Sequence, residues 1–199
     1  MGLEAEFRPS TLYFGDGSGK LEAAPDAFGR PTPWYAMAHN VGDLNGDGFR
    51  DIYVGTGSPA YKTLVTNRMF LNQRGKGFVD ISMAGVFVHL QKGHGIGFAD
   101  LDRDGDEDVF AQMGGFAPGD KFFNAYFENP GFGSSWLSVK LEGTRSNRSA
   151  IGAIIRATIQ ENGIERTVHR WGNSGGSFGA NPLEQMLGLG EAKLVEKLE

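Results

Sequence analysis

Short apolar runs, each bounded by glycine, asparagine or aspartate, recur through the first two thirds of the chain. Residues 51–54 (Asp-Ile-Tyr-Val), 68–71 (Arg-Met-Phe-Leu) and 108–111 (Asp-Val-Phe-Ala) are examples. Short runs of β-branched and aromatic residues between turn residues are typical of β-strands. The spacing of an amphipathic helix is missing, and Pro31 and Pro33 disfavour a helix before the first acidic segment. This part of the chain is therefore predicted to form short strands, as in an all-β blade or meander.

The pattern changes at about residue 134. From there, apolar and polar side chains alternate as in strands with one exposed face, in residues 136–142, 155–160 and 166–170. Asn162 and Gly163 lie between the last two segments and indicate a two-residue hairpin turn. We interpret 134–199 as a separate antiparallel β-domain, which a linker at 129–133 joins to a repeat region at 1–129.

Two acidic segments, 43–51 and 100–108, share one pattern of aspartate, asparagine and glycine. Their first residues, 43 and 100, differ by 57, and the same shift brings aromatic runs of the chain into register. A fixed period of tens of residues is typical of modular folds, in which each unit buries one face against its neighbours. We predict two repeat units, about 11–67 and 68–124, followed by the first strand of a third.

Composition and charge narrow the chemistry. The 199 residues include 31 glycines and no cysteine, which excludes a disulfide scaffold, a thiolate zinc site and a cysteine nucleophile. The formal net charge is −5, and most aspartates lie in the two acidic segments. The chain has no basic stripe for phosphate binding, so nucleic acid is not expected as a partner. It also has no apolar window of the roughly 18 residues that a membrane-spanning helix needs.

The acidic segments have the chemistry of a cation site. Each places oxygen-bearing side chains at positions 1, 3, 5 and 9, glycine at position 6, and a backbone carbonyl at position 7. This set favours calcium over magnesium, which needs a tighter octahedron and retains its water. An EF-hand is excluded, because position 12 is Val54 or Ala111 where that motif needs glutamate. The alternative is a polar turn that satisfies only its own backbone.

Two sets of motifs resemble known families. Residues 42–57 (Gly-Asp-Leu-Asn-Gly-Asp-Gly-Phe-Arg-Asp and onward) and 98–110 resemble FG-GAP/VCBS repeats, the blades of integrin-α-type β-propellers. Residues 136–153 and 188–190 resemble the ASPIC/UnbV domain that follows such repeats in cartilage-acidic-protein-like molecules. The implied fold is all-β: a partial β-propeller of two FG-GAP/VCBS blades plus the first strand of a third, followed by a small antiparallel β-domain.

The resemblance also implies a calcium ion in each loop. Transferred by position, its ligands are Asp43, Asn45, Asp47 and Asp51 with the carbonyl of Phe49, and Asp100, Asp102, Asp104 and Asp108 with the carbonyl of Asp106. The second loop offers one more ligand carboxylate, so we expect it to bind calcium more tightly.

The predicted function is a non-enzymatic, calcium-binding repeat module that mediates adhesion or binds an extracellular protein or glycan. The resemblance implies that it is secreted or displayed at the cell surface, with the periplasm as a further compartment. The alternative is the substrate-binding part of an enzyme acting on polysaccharide, whose mark would be paired catalytic carboxylates outside the loops. Residues 175–179 fit the nucleophile pattern G-x-S-x-G, but that motif needs a strand-to-helix turn, and we interpret them as a glycine-rich loop.

Two blades cannot close a ring, since propellers typically have about four to eight. Strands near residues 11–14 and 123–127 would then keep apolar faces and open edges. Either residues 134–199 cover one edge or two chains share them, and we expect a homodimer. The short blade count and the end of the ASPIC/UnbV pattern at Glu199 also lead us to expect a fragment of a longer polypeptide.

Overall fold

The computed structural model describes residues 10–29, 33–57, 65–115 and 117–199. Within these residues the regular elements are fourteen β-strands and no helix. The strands form five antiparallel sheets, none of which closes on itself. The all-β prediction is confirmed, whereas the propeller stays a prediction. The described residues contain no helix that is long and apolar enough to cross a membrane.

The first part of the chain forms three sheets in which strands adjacent in sequence pair with each other. They are the hairpin of β1 (Leu12–Gly15) and β2 (Leu21–Ala24), the sheet of β3 (Ala36–Gly42), β4 (Asp51–Thr56), β5 (Arg68–Asn72) and β6 (Phe78–Asp80), and the sheet of β7 (Gly93–Ala99), β8 (Asp108–Met113) and β9 (Ala125–Phe127). The two acidic loops connect β3 to β4 and β7 to β8.

The strand positions confirm the 57-residue repeat. β3, β4 and β5 begin at residues 36, 51 and 68, and β7, β8 and β9 begin 57 positions later at 93, 108 and 125. The first hairpin follows the same repeat, because Tyr13 pairs with Ala23 as Phe70 pairs with Asp80 in β5 and β6. That hairpin therefore matches β5 and β6, the last two strands of the four-stranded sheet.

The sheets divide the repeat at a different place from the predicted units. The boundary expected between 67 and 68 falls between β4 and β5 of one sheet. The strand at 125–127, expected to open a third unit, completes the sheet of the second acidic loop. A period read from sequence has no preferred starting residue, and antiparallel pairing is what groups the strands.

The two sheets that carry the acidic loops pack against each other through β3 and β7, around buried side chains that include Met69 and Phe98. The approach is close enough to require glycine, since a Cβ on Gly42 would lie 2.0 Å from the ring of Phe98. As a result the two loops lie side by side, and the amide of Asp43 donates to Glu107 Oε2 at 2.5 Å.

The C-terminal part forms two further sheets. In one, β10 (Ser135–Val139) pairs with β13 (Gln185–Gly190); in the other, β11 (Ile154–Glu161) lies between β12 (Ile164–Trp171) and β14 (Val195–Leu198). The hairpin predicted between β11 and β12 is confirmed: Asn162 and Gly163 have φ of 53° and 78°, as a type I′ turn requires. Ile159, Val168 and Leu187 belong to a core of this part alone.

The glycine-rich segment 175–179 packs against β3 and β7, the first strands of the two sheets that carry the acidic loops. The Ser177 amide donates to the carbonyl of His39 at 3.0 Å, and a Cβ on Gly179 would lie 1.8 Å from the carbonyl oxygen of Ile96. The described residues around Ser177 contain no helix, so the strand-to-helix turn of a nucleophilic serine is not formed there. The segment is a loop that fills the junction between two sheets.

Candidate metal centre

The two acidic loops share one hydrogen-bonding frame. At position 1, Asp43 Oδ2 accepts the amide of Gly48 at 2.9 Å, and Asp100 Oδ2 accepts the amide of Gly105 at 3.2 Å. At positions 3 and 5 each side-chain oxygen accepts the amide two residues later, in the pairs Asn45 and Asp47, Asp102 and Asp104, Asp47 and Phe49, and Asp104 and Asp106. These bonds fold both segments into the same turn and orient the carboxylates.

Two positions in each loop have left-handed backbone. At position 6 the φ angles are 92° for Gly48 and 102° for Gly105, as the sequence predicted from glycine alone. At position 4 the φ angles are 65° for Gly46 and 66° for Arg103. Sequence reasoning missed position 4, although Gly46 in the first loop was a signal for it. In the second loop Arg103 bears the strain of a side chain in that region.

The aspartate at position 9 fastens each loop to the next strand. Asp51 and Asp108 are fully buried, and both carboxylate oxygens of each accept backbone amides. The donors are Leu44 and Asn72 at 2.7 Å for Asp51, and Leu101 at 3.0 Å and Asn129 at 2.9 Å for Asp108. Burial raises the pKa of Asp51 to about 8, and the two amide bonds oppose that rise.

The second loop brings three of its predicted ligands together. Asp100, Asp102 and Asp104 each place one carboxylate oxygen within 4.8 Å of the others, with Asp100 half-buried and the other two exposed. Asp106 stands next to them, and partial burial together with the charge of Asp104 and its neighbours raises the pKa of Asp106 to about 6. Asp108 is outside this group of three. The loop concentrates negative charge that a cation would relieve.

The first loop has a different environment. Asp43 is 3% exposed, and burial raises its pKa to about 6 although a guanidinium, that of Arg170, lies beside it. Arg170 Nη2 donates to Asp43 Oδ2 at 2.7 Å, while Asp43 Oδ1 is buried with no hydrogen-bond partner among the described residues. Sequence reasoning missed Arg170, because nothing in a strand near the C-terminus points to a loop more than a hundred residues earlier.

The C-terminal sheets pack directly on both loops. Gly190 donates its amide to the carbonyl of Gly46 at 2.9 Å, and a Cβ on Gly105 would lie 2.0 Å from Nε1 of Trp136. Between the second loop and these sheets is a cleft of about 400 Å³, whose lining includes Asp100, Arg103, Trp136, Ser138 and Glu184. Trp136 remains 49% exposed, so an aromatic face borders the acidic group.

Comparison with known proteins adds no relative: no protein-family model matches the chain, and no curated protein matches it. The likeness to FG-GAP/VCBS repeats and to the ASPIC/UnbV domain therefore depends on the motifs and on the all-β repeat that carries them.

Proposed function

We propose that this chain is a calcium-binding module that binds an extracellular protein or glycan, built from FG-GAP/VCBS-type repeats and an ASPIC/UnbV-like domain. The observation that carries the proposal is the convergence of Asp100, Asp102 and Asp104 in the second loop, with oxygens within 4.8 Å of one another. The repeated turn that orients them supports it, because the same frame recurs 57 residues earlier.

The residues fit calcium by their chemistry. Ca²⁺ takes six to eight oxygen ligands in flexible geometry, and the second loop offers three carboxylates and the carbonyl of Asp106. Asp106 Oδ1 is also buried without a hydrogen-bond partner among the described residues. The protein's part is to hold three like charges close together, which is costly until a cation neutralises them.

Exposure of the loop supports an extracellular, cell-surface or periplasmic location. Asp102 and Asp104 are exposed, and an open site of this kind suits the weak end of calcium affinities, about 10⁻⁴–10⁻³ M. Extracellular modules work in that range. The cleft beside Trp136 offers an aromatic face with polar neighbours, the kind of surface on which a glycan or a peptide side chain can stack.

Homodimerisation is a further part of the proposal. β9 is the edge strand of its sheet, and beside it an apolar groove of about 730 Å³ is lined by residues that include Leu71, Val86, Phe87, Phe127 and Phe132. Open edges and contiguous apolar surface favour association. Light scattering should show a dimer in wild type and a monomer in Phe132→Glu. A wild type that stays monomeric at high concentration would contradict the dimer.

Isothermal titration with calcium tests the metal site. Wild type should bind with a Kd of the order of 0.1–1 mM, as extracellular modules do. Asp104→Ala should abolish this binding, because it removes one of three converging carboxylates. Asp26→Ala, which removes an exposed carboxylate from the turn after β2, outside both acidic loops, is the matched control and should bind as wild type does. Equal affinity in Asp104→Ala and Asp26→Ala would contradict the proposal.

A further inference from the structure

The two loops differ in the cation that the protein itself places beside them. Arg170 lies on β12, where alternate residues face inward, and it is 1% exposed next to buried Val168. An arginine so deeply buried needs a partner for its charge. The partner is Asp43, position 1 of the first loop, and the ion pair joins side chains that are 1% and 2% exposed.

The hydrogen bonds of Arg170 hold it in place. Nε donates to the carbonyl of Met186 at 2.8 Å, and Nη1 donates to the carbonyls of His169 at 2.9 Å and Gly48 at 3.2 Å. Nη2 donates to Asp43 Oδ2 at 2.7 Å. Three of these four acceptors are backbone carbonyls, which cannot rotate away as a side chain can. The guanidinium is therefore a fixed positive charge that touches the loop at position 1 and at position 6.

We propose that Arg170 serves as the resident cation of the first loop and keeps calcium out of it, so that each chain binds one calcium ion, in the second loop. A divalent ion on Asp43 Oδ1 would face the guanidinium across a single carboxylate. Burial removes the water that would screen their repulsion. Displacing Arg170 instead would leave its charge buried without a partner, which is strongly unfavourable. The inference rests on the proposed calcium binding by the second loop.

The second loop lacks such a cation. Within the part of the chain that the structure describes, no ion pair joins Asp100, Asp102 or Asp104 to a basic side chain. At position 6 the second loop meets the neutral indole of Trp136, 2.0 Å from where a Cβ on Gly105 would lie, whereas the same position of the first loop meets Arg166. The same backbone frame is thus closed by a charge in one copy and left open to a metal ion in the other.

Counting bound calcium by equilibrium dialysis tests the inference. Wild type should bind one ion per chain, Asp47→Ala should keep it, and Asp104→Ala should lose it. Arg170→Met should gain a second ion, because Asp43 then has no cation, and adding Asp47→Ala to that variant should remove the gain. Arg166→Met is the matched control: it removes a positive charge from the same strand, paired with Glu161 and not with Asp43, and should still bind one ion.

The outcome in wild type and in Arg170→Met decides the inference. A wild type that binds two ions, one of them lost in Asp47→Ala, shows that Arg170 does not exclude calcium. A folded Arg170→Met that binds one ion removes Arg170 as the cause. If Arg170→Met unfolds in chelator and refolds in calcium, the ion has replaced the guanidinium, which supports the inference. If Arg170→Met is unfolded in chelator and in calcium, bound calcium is counted in Arg170→Gln instead. That variant removes the charge and keeps a hydrogen-bond donor for Asp43.

The same count separates this inference from the proposed function. A wild type that binds no calcium contradicts the proposed function and, with it, the count of one ion per chain. The role of Arg170 is then decided by whether Arg170→Met gains one ion that Asp47→Ala removes: the gain supports it, and its failure overturns it. Magnesium in place of calcium should fill neither loop, because Mg²⁺ demands a tighter octahedron.

Discussion

Adding 57 to each residue number of the first acidic loop gives its counterpart in the second. The hydrogen bonds are equivalent as well: Gly48 donates to Asp43 in the first loop, and Gly105 donates to Asp100 in the second. What differs is the surroundings. The first loop lies against a buried arginine, and the second lies against a tryptophan and keeps two exposed carboxylates. The comparison teaches that a ligand pattern fixes the turn, whereas the residues packed against the turn set its charge environment and its exposure.

The buried aspartates at position 9 should give the largest and most equal effects. Asp51→Ala and Asp108→Ala each leave two backbone amides without acceptors, at about 1–3 kcal/mol for each buried group, and Asp108→Ala also removes the acceptor of the Tyr126 hydroxyl. We expect both variants to lose about 3–4 kcal/mol of unfolding free energy in urea titrations. Asp51→Asn and Asp108→Asn keep one acceptor and should lose less. A large loss in one loop only would break the equivalence of the two frames.

Stability in chelator should depend on pH, with the largest contribution from the two buried aspartates of the first loop. Burial raises the folded-state pKa of Asp43 to about 6 and that of Asp51 to about 8, above the ordinary 3.8. The folded state then binds more protons than the unfolded state, so unfolding free energy falls as pH rises from about 4 toward 8. For Asp43 the fall is about 3 kcal/mol, since one pKa unit corresponds to about 1.4 kcal/mol.

Asp43→Asn checks this slope, because it removes the titrating group and keeps an acceptor for Gly48. Its unfolding free energy should change less between pH 4 and pH 7 than that of wild type, with Asp26→Asn as the exposed control. An identical slope in wild type and Asp43→Asn would show that Asp43 ionises with an ordinary pKa and that the first loop is less desolvated than its burial indicates.

Calcium should raise the melting temperature through the second loop alone. A ligand that binds only the folded state adds about 2.7 kcal/mol at a hundredfold excess over Kd. The rise should be kept in Asp47→Ala and lost in Asp104→Ala, as measured by thermal unfolding in calcium and in chelator. A rise that instead disappears in Asp47→Ala would reverse the comparison between the loops.

Substitution of the position 6 glycines should give the smallest loss of unfolding free energy. The size of the loss should differ between the two loops, because different side chains pack against each glycine. Alanine at either position adopts an unfavourable positive φ, at a cost of about 1–2 kcal/mol. Gly105→Ala should cost more than Gly48→Ala, because the added methyl would lie 2.0 Å from Nε1 of Trp136, whereas at Gly48 it would lie 2.7 Å from Nη1 of Arg166. Urea unfolding of the two variants checks which loses more free energy. Adding Trp136→Ala to each variant should reduce the difference between them.

Local spacing was enough to predict much of this molecule. The repeat of 57, the glycine at position 6 and the hairpin at Asn162 and Gly163 all concern residues that are neighbours in the chain or in a period. Sequence was less informative about strand grouping. β10 begins at 135, which is 57 after the start of β6 at 78, so the period would make it the fourth strand beside β9, yet it pairs with β13.

The sequence by itself determined the strands, the repeat and the shape of the acidic loops, because each depends on backbone preferences and hydrogen bonds that span a few residues. Only the tertiary structure decided that Arg170 meets Asp43 across 127 positions and that Trp136 meets Gly105. These contacts arise where the C-terminal sheets pack on the loops. No pattern within either segment encodes that packing, since it depends on which buried faces fit together and which buried charges find a partner.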